Sequence, residues 1–351
     1  MVTYLIILAV LFTLEVGYFR IADRFNIIDK PNERSSHSTI VLRGGGIIFT
    51  LSMIVWWIVQ MVHGEWCTVN GYDYLPFRIG LVMVAGVSFW DDVKSLPDLV
   101  RMLVQMAAIL LMSWSMGILT SELWWSVPIV MLFCVALTNI VNFMDGINGI
   151  TAGYSLAVLV PLIIENGKWK IENGAGFIEP SYLLVAILGV LVFSVFNFRP
   201  KGKAKCFAGD VGSIGIAFIM LFAVGKLIFH TGDFTYIIVF LVYGVDGLMT
   251  IFHRMMMHEN LGQAHRKHAY QIMANELKIG HVKVALLYMA MQLAVSLGFV
   301  CLCPDTVAAH WTYLIAVSAF SVIAYIVFMK KYYHLHEAYL ASLERKEVNN
   351  E

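Results

Sequence analysis

The chain has 351 residues, of which 59% are hydrophobic and only 14% are charged, and its formal net charge is zero. Soluble domains are about 45–50% apolar and about 25% charged, so this composition excludes an ordinary soluble globular protein. A neutral chain also lacks the basic balance that nucleic-acid binding requires, so we expect no nucleic-acid partner.

Repeated apolar runs of membrane-spanning length predict eleven spans, with ten as the alternative count. The runs cover residues 2–22, 41–62, 76–90, 101–120, 123–142, 150–165, 181–197, 212–229, 234–252, 283–303 and 311–329. The sequence therefore predicts an all-α, polytopic membrane helical bundle embedded in the lipid bilayer. We expect residues 1–332 to form one transmembrane domain and residues 333–351 a polar cytoplasmic tail.

Basic residues orient the bundle. Twenty of the 24 Lys and Arg residues fall in or beside the loops after spans 1, 3, 7, 9 and 11. The exceptions are Arg78, Lys168, Lys170 and Lys226. The positive-inside rule places these loops in the cytoplasm and the N-terminus outside. The polar motifs described next all lie in these inside loops or at the adjoining span edges.

The first inside loop contains Asp29-Lys-Pro-Asn-Glu-Arg-Ser-Ser-His37 and leads to Arg43-Gly-Gly-Gly46. Its proline and its glycine triplet predict an ordered loop with tight backbone turns. His37 and Arg43 could reach a phosphate. The triplet is not a P-loop, because no Gly-Lys-Ser/Thr follows it.

Two adjacent carboxylates, Asp91 and Asp92, follow the apolar run that ends at Trp90. Carboxylates at the mouth of a membrane helix are costly to desolvate unless they are paired or bound to metal. They indicate a magnesium site, since Mg²⁺ takes one or two carboxylates plus substrate phosphate oxygens, or a base acting on a phosphate. The alternative is an acidic interfacial cap that Lys94 neutralises.

Polar side chains recur every three residues where the fifth span ends, at Asn139, Asn142, Asp145 and Asn148. They share one face if the helix continues, but two glycines predict a break that leaves Asp145 at the turn. An amide-rich face at the membrane edge can bind sugar hydroxyls, a uracil edge or phosphate. The alternative role is hydrogen bonding between helices, which Asn commonly provides.

The segment Phe207-Ala-Gly209-Asp210-Val-Gly-Ser213 precedes the eighth span. Its glycines allow close backbone approach, and a helix start presents free N–H groups to an anion. The segment therefore suits a diphosphate, with Asp210 placed for its metal. Phe207 could stack on a nucleobase. The alternative is an ordinary helix N-cap preceded by an interfacial aromatic.

The loop before the tenth span contains His265-Arg266-Lys267-His268. A zinc site is poorly supported, because no cysteine and no clear third ligand lie nearby. His265, Arg266 and His268 better fit a phosphate clamp. The alternative is a solvated basic loop that meets anionic lipid. Glu15 and Asp246 lie within spans, where we expect them to pair inside the bundle.

In their order along the chain, these motifs resemble the polyprenyl-phosphate N-acetylhexosamine-1-phosphate transferases. That family includes the phospho-MurNAc-pentapeptide translocase and the transferases that start O-antigen, enterobacterial common antigen and teichoic-acid synthesis. The matching motifs are Asp29-x-Pro-Asn-x-Arg-x-x-His37 with Arg43-Gly-Gly, Asp91-Asp92 with Arg101-x3-Gln105, Asn139-x-x-Asn142-x-x-Asp145-Gly-x-x-Gly149, Phe207-x-Gly-Asp210-x-Gly-Ser213, and Asp246 leading to His265-Arg-x-His268.

The resemblance implies that a UDP-N-acetylhexosamine gives its sugar-1-phosphate to undecaprenyl phosphate and releases UMP. It implies Mg²⁺ as cofactor, with Mn²⁺ as the alternative, and a multi-pass catalytic domain in the bacterial cytoplasmic (inner) membrane. The reaction would be the first membrane step of O-antigen, capsule or teichoic-acid synthesis. A homodimer is an open alternative to a monomer, and the sugar could be GlcNAc, FucNAc, QuiNAc or GalNAc.

The resemblance also implies roles for single residues. Asp91, Asp92 and Asp210 would be catalytic, with Asp91 as base on the lipid phosphate and with Asp210 and Asp92 at the metal. Phe207 would stack on uracil. The other substrate contacts would be His37, Arg43, Arg101, Asn142, Asp145, Asn148, Gly209, Ser213, His265, Arg266 and His268.

Two departures from the family pattern refine this expectation. The family usually has Asp where Asn148 stands, and an amide keeps hydrogen bonding but loses the charge that a base or metal ligand needs. The chain also lacks the run of consecutive histidines typical of the pentapeptide translocase. It therefore resembles the O-antigen-initiating branch, and a peptide-bearing substrate is not expected.

We expect one-step attack by the lipid phosphate, with an aspartyl-phosphate intermediate as the alternative. The rival functions are a membrane transporter for an anionic substrate and a phosphotransferase that uses CDP-alcohols.

Overall fold

The computed structural model describes residues 2–29, 41–62, 74–260 and 265–348. Within these ranges, eleven helices of at least sixteen residues correspond one to one to the eleven predicted spans. They are α1 (Val2–Arg24), α2 (Ile47–Val62), α3 (Leu75–Val93), α4 (Asp98–Ser115), α5 (Val127–Met144), α6 (Ile150–Asn173), α7 (Pro180–Asn197), α8 (Gly209–Thr231), α9 (Leu241–Met256), α10 (His281–Leu297) and α11 (Val307–Val348).

Nine helical segments in the described ranges are long and apolar enough to cross a membrane. The helix α2 is also apolar but has only sixteen residues, and α3 ends in the Asp91–Asp92 pair. The predicted class, an all-α multi-pass membrane bundle, is confirmed. The number of crossings, their orientation and the proposed domain boundary stay predictions.

The helix α8 forms the centre of the bundle. Its most apolar eighteen-residue window is 83% buried, whereas the corresponding window of α11 is only 11% buried. The helix packs against α2, α3, α5 and α6. A helix that is apolar on all sides is stable only when neighbours surround it. Its N-terminus, with Asp210, therefore lies among the ends of other helices.

A short β-structure fixes the chain that leads into this N-terminus. Strands β1 (Ile28–Asp29) and β2 (Val41–Leu42) pair antiparallel, and Leu42 also forms a parallel bridge to Cys206. Phe207 donates its N–H to the carbonyl of Leu42 and accepts one from Gly45. These hydrogen bonds hold the glycine triplet against the beginning of α8.

The ninth span is interrupted near its predicted start. A 3₁₀ segment, Phe234–Phe240, changes into α9 at Leu241. Gln292 of α10 accepts the N–H of Val242 at 3.0 Å and donates to the carbonyl of Ile238 at 3.1 Å. These bonds satisfy backbone groups that would be costly to leave open in a membrane.

The helix α11 continues for 42 residues without a break at the predicted boundary after Tyr332. At 1.5 Å per residue it is about 63 Å long, roughly twice the thickness of a bilayer core. The helix is therefore longer than one membrane crossing requires.

Candidate active site

The predicted acids converge where α3 ends and α8 begins. Asp92 accepts the backbone N–H of Asp210 on Oδ1 and that of Val211 on Oδ2, each at 2.9 Å. A helix start has N–H groups without intrahelical partners, and a carboxylate is a favourable acceptor for them. Asp92 thus serves as the cap of α8 although it belongs to another helix.

Arg43 joins two of the acids from the opposite side. Its Nε lies 2.7 Å from Asp92 Oδ1, and one terminal nitrogen lies 3.5 Å from Asp210 Oδ1. Burial alone would lower the pKa of Arg43, but the charges of Asp92, Asp210 and Asp29 raise it above its ordinary value. The guanidinium is therefore a permanent positive charge in the site.

Arg101 makes the second bridge between the acids. Its Nη1 lies 2.7 Å from Asp91 Oδ2 and 3.1 Å from Asp210 Oδ2, and its Nη2 lies 2.7 Å from Asp98 Oδ1. Asp91 also accepts the N–H of Leu96 at 2.6 Å. Because one nitrogen contacts both Asp91 and Asp210, these carboxylates are close enough to share a cation.

Glycine is required where the segment before α2 crosses the N-terminus of α8. Gly209 has φ +69°, and a Cβ there would lie 2.6 Å from Asp92 Oδ2. A Cβ at Gly46 would lie 2.4 Å from the Cα of Gly212. Only glycine adopts such a conformation and such an approach without strain. The glycines of both predicted motifs therefore allow the acids to meet.

The end of α5 lies on the same side of the bundle. Ser213 donates its hydroxyl hydrogen to Asn142 Oδ1 at 2.8 Å, and Thr151 donates to Asp145 Oδ1 at 2.5 Å. Burial raises the pKa of Asp145 to about 6, although the Thr151 hydrogen bond lowers it, and the charge of Asp92 raises it further. Thr151 was not expected from the sequence, since one threonine six residues away carries no motif.

Asn148 and Phe207 are held mainly through the backbone. Asn148 donates its amide hydrogens to the carbonyls of Arg199 at 2.9 Å and Pro200 at 3.1 Å, which anchors the loop between α7 and α8. Phe207 is half buried beside the first inside loop. Their predicted substrate contacts stay predictions. His37 lies outside the described residues.

The segment His265–His268, called the histidine segment here, lies near the end of α5. His268 Nδ1 lies 3.3 Å from Asp246 Oδ1, and Tyr270 donates its hydroxyl to the carbonyl of Phe143 at 3.0 Å. The ring centre of His265 lies 5.0 Å from that of His268 and 6.4 Å from that of Phe143. Tyr270 is a contributor that the sequence motifs did not indicate.

Both imidazoles keep a nitrogen for a ligand. His265 Nδ1 and His268 Nε2 are buried and form no hydrogen bond within the described part of the chain. Burial, and then the charges of His268, Arg254 and Lys267, lower the pKa of His265 to about 3. His265 is therefore neutral, so it would act as a hydrogen-bonding group rather than as a cation.

Of the two acids within predicted spans, Asp246 is paired as expected, whereas Glu15 has only a weak contact and one buried oxygen without a partner among the described residues. Asp246 accepts the hydroxyl of Tyr288 at 2.6 Å and the N–H of Ala269 at 3.0 Å, in addition to its contact with His268. Glu15 accepts a weak hydrogen bond from the Cys206 thiol at 3.8 Å. Asp246 thereby fixes the start of the segment that follows the histidines.

Arg266 points away from these histidines. Its Nη2 lies 2.7 Å from Glu276 Oε1, and its guanidinium carbon lies 4.3 Å from the ring centre of Tyr339 on α11. Its Nε is buried and forms no hydrogen bond to any described residue. The predicted phosphate contact of Arg266 thus stays a prediction, with only part of the guanidinium left for it.

The acids do not form a complete metal site by themselves. Among the residues that the structure describes, no group of three or more His, Cys, Asp or Glu side chains could hold a metal ion. Mg²⁺ needs only one or two protein carboxylates when substrate phosphates supply further oxygens. The neighbouring carboxylates Asp91 and Asp210 fit that requirement, because Oδ2 of each contacts the side chain of Arg101 and no backbone N–H among the described residues. Both oxygens of Asp92 instead accept backbone N–H groups of α8.

Comparison with known proteins identifies the class. Residues 74–228 match the family model of glycosyl transferase family 4. The chain is 27% identical over 248 residues to a "Probable undecaprenyl-phosphate N-acetylglucosaminyl 1-phosphate transferase" of Bacillus subtilis, covering 66% of this chain and 64% of the relative. These matches support the expected family, and the family model covers the part of the chain that contains Asp91, Asp92, Asp145 and Asp210.

Two further relatives extend this similarity. The chain is 24% identical over 220 residues to "Decaprenyl-phosphate N-acetylglucosaminephosphotransferase" of Mycobacterium leprae, covering 57% of this chain and 54% of that protein. It is 26% identical over 220 residues to "Phospho-N-acetylmuramoyl-pentapeptide-transferase" of Limosilactobacillus reuteri, covering 57% and 64%. The matches thus span between about half and two thirds of the relatives' length.

Proposed function

We propose that the chain transfers an N-acetylhexosamine-1-phosphate from a UDP-sugar to undecaprenyl phosphate at the cytoplasmic face of the bacterial inner membrane. The observation that carries this proposal is the junction of Asp91, Asp92 and Asp210, which Arg43 and Arg101 connect at one end of the bundle. The product would be a sugar linked to the lipid by a diphosphate, together with UMP. This would be the first membrane step in making an envelope polysaccharide.

The charges of the site suit two phosphorylated substrates. A donor diphosphate and an acceptor phosphate repel each other, so their approach needs positive charge and fixed positions. Arg43 and Arg101 supply two guanidinium groups, and the N-terminus of α8 supplies the positive end of a helix dipole. The acids keep these cations in place between the substrates.

We assign the donor to the surface formed by the end of α5 and the histidine segment. Asn142, Asp145 and Ser213 have hydrogen-bonding groups for the sugar or nucleotide. His265 and His268 each have a buried ring nitrogen without a hydrogen-bond partner among the described residues. We keep Phe207 as the residue that stacks on uracil. The similarity of the chain to transferases named for N-acetylglucosamine makes UDP-GlcNAc the first donor to test.

The residues present fit Mg²⁺ held by Asp210 and Asp91, with Mn²⁺ as the alternative ion. When bound, the cation would neutralise phosphate oxygens and polarise the phosphorus under attack. We assign Asp92 to positioning, because it caps α8 and pairs with Arg43. This assignment replaces the expectation that Asp92 binds the metal.

We propose a direct displacement. An oxygen of the lipid phosphate forms a bond to the sugar-linked phosphorus, while the bond from that phosphorus to the bridging oxygen breaks and UMP leaves with the electron pair. We keep Asp91 as the base that accepts the proton of a monoprotonated lipid phosphate. A phosphorylated aspartate trapped during turnover would instead establish the two-step route.

The test is a reaction with purified full-length protein, undecaprenyl phosphate, Mg²⁺ and radiolabelled UDP-GlcNAc. UMP and a lipid-linked radioactive product are expected, and UDP-FucNAc, UDP-QuiNAc and UDP-GalNAc then define the sugar. Asp210→Asn should abolish turnover, whereas the exposed control Asp23→Asn should not change it. Uptake into proteoliposomes without lipid-linked product would favour a transporter, and CMP release from a CDP-alcohol would favour the other phosphotransferase class.

A further inference from the structure

The second half of α11, residues 328–348, is called its cytosolic half here, after the predicted orientation. It contacts the segment His265–His268 through the carboxylate of Glu276. Glu276 Oε1 lies 2.7 Å from Arg266 Nη2 and 3.1 Å from His336 Nδ1. Tyr339, one turn further along α11, lies beneath the guanidinium of Arg266. Arg266 and Glu276 from the loop before α10 and His336 and Tyr339 from α11 therefore form a single polar cluster of four residues.

This cluster is buried, which distinguishes it from an ordinary surface ion pair. The side chains of Arg266, Glu276 and His336 are only 10%, 4% and 2% exposed. Exposed ion pairs contribute little to stability, but removing one partner of a buried pair leaves an uncompensated polar group. Arg266 and His336 both contact the same oxygen of Glu276, which restricts where this carboxylate can lie and ties the loop to α11.

Arg266 lies between His265 and His268 in the chain, so its contacts with α11 also affect the positions of the two histidines. The ring of His265 lies between those of Phe143 and His268, whereas Arg266 faces α11. The segment thus lies between the donor surface and the end of α11. A movement of α11 would be transmitted to both imidazoles through a backbone of only three peptide units.

We propose that the cytosolic half of α11 is a positioning element of the donor site, with Glu276 and His336 as positioning residues. The inference rests on the proposed function. These two residues touch neither reacting phosphate; they hold Arg266, and thereby fix the ring nitrogens of His265 and His268 that face the donor. A misplaced imidazole weakens donor binding without altering the acids that carry out the displacement.

The experiment compares His336→Ala with His334→Ala in the full-length protein. His334 lies two residues earlier on α11 and is exposed, so it is the matched control. We expect His336→Ala and Glu276→Gln to raise the KM for the UDP-sugar about tenfold, while kcat and the KM for undecaprenyl phosphate change by less than about twofold. His334→Ala should behave as the unaltered protein.

Two further measurements separate positioning from loss of fold. His336→Asn places an amide N–H near the position of Nδ1, and it should restore most of the donor affinity. Hydrogen exchange of residues 265–276 should accelerate in His336→Ala, with no change in α3 or α8. Equal KM values in His336→Ala and His334→Ala would overturn the inference, as would a loss of kcat that saturating donor does not recover.

These outcomes remain distinct from those that test the proposed function. If the unaltered protein forms no UMP with any UDP-sugar, the proposed function fails and the donor role of α11 fails with it. If the unaltered protein is active and His336→Ala keeps its donor KM, only the inference about α11 fails.

Discussion

Asp92 and Asp210 lie close together because the Asp92 carboxylate caps the N-terminus of α8, where Asp210 is located. The side chain of Asp92 accepts the backbone N–H of Asp210, while Arg43 contacts both carboxylates. The capping bond fixes the direction of the Asp210 side chain relative to the end of α3. Substitutions at Asp92 should therefore lower the stability of the protein, and lower turnover because Asp210 is displaced.

We expect Asp92→Ala to destabilise the protein by about 3 kcal/mol, because it removes a helix cap and leaves Arg43 beside an apolar side chain. Asp92→Asn keeps one acceptor for a backbone N–H and should cost less. Thermal unfolding in detergent measures both. Asp98→Ala is the control, because Asp98 is 87% exposed and contacts only the outer side of Arg101. Equal midpoints for Asp92→Ala and Asp98→Ala would contradict the capping role.

Gly209→Ala should remove activity. The added Cβ would meet Asp92 Oδ2 at 2.6 Å, and φ +69° is strained for alanine. Asp92 would have to leave the N-terminus of α8, which shifts Asp210. Gly86→Ala on α3 is the matched control, since no described atom beyond its own helical turn lies within 4 Å of the added methyl. UMP release should fall to background in the first variant and stay unchanged in the second.

Activity should depend on the ionisation of Asp145. Because burial raises its pKa to about 6, this carboxyl group is neutral below about pH 6 and charged above it. If the carboxylate accepts hydrogen bonds from the donor, kcat/KM for the UDP-sugar should rise as the pH increases through about 6. The Asp145→Asn variant should have lower activity and should lack this step in its pH profile.

The stability of the folded protein, unlike its activity, should decrease as the pH rises and Asp145 ionises. An unfolded Asp ionises near pH 3.9, so between about pH 4 and about pH 6 the unfolded chain has lost a proton that the folded protein keeps. Raising the pH through this range therefore lowers stability, which becomes constant above about pH 6. The difference in melting temperature between Asp145→Asn and the unaltered protein should grow over that range. A constant difference would exclude the raised pKa.

The sequence predicted the spans well because membrane burial requires long apolar runs. All eleven runs correspond to helices, and the structure brings the motifs at Asp91 and Asp210 together at Arg101. The polar composition after Tyr332 predicts a helix on the surface, but it does not predict that this helix continues α11 without a break. Hydropathy describes the environment of a helix but not where its last turn ends.

The partners of individual side chains were harder to predict. Arg266 and His268 are almost adjacent in sequence, yet one contacts α11 and the other contacts Asp246. Likewise, Asp91 and Asp92 are identical in chemistry, but one faces Arg101 and the other caps α8. Such differences depend on the direction of a side chain after packing, and residue spacing carries little of that information.

The different surroundings of Asp91 and Asp92 lead to a prediction about the metal. If Mg²⁺ is held by Asp210 and Asp91, Asp91→Asn should raise the Mg²⁺ concentration needed for half-maximal activity. Asp92→Asn should lower kcat with little change in that concentration, because both oxygens of Asp92 already accept hydrogen bonds from α8. A titration of UMP release against Mg²⁺ after treatment with EDTA measures both quantities. A larger increase of the half-maximal Mg²⁺ concentration in Asp92→Asn than in Asp91→Asn would identify Asp92 as the second metal ligand. The Asp92 carboxylate would then have to break its hydrogen bonds to α8 when the ion binds.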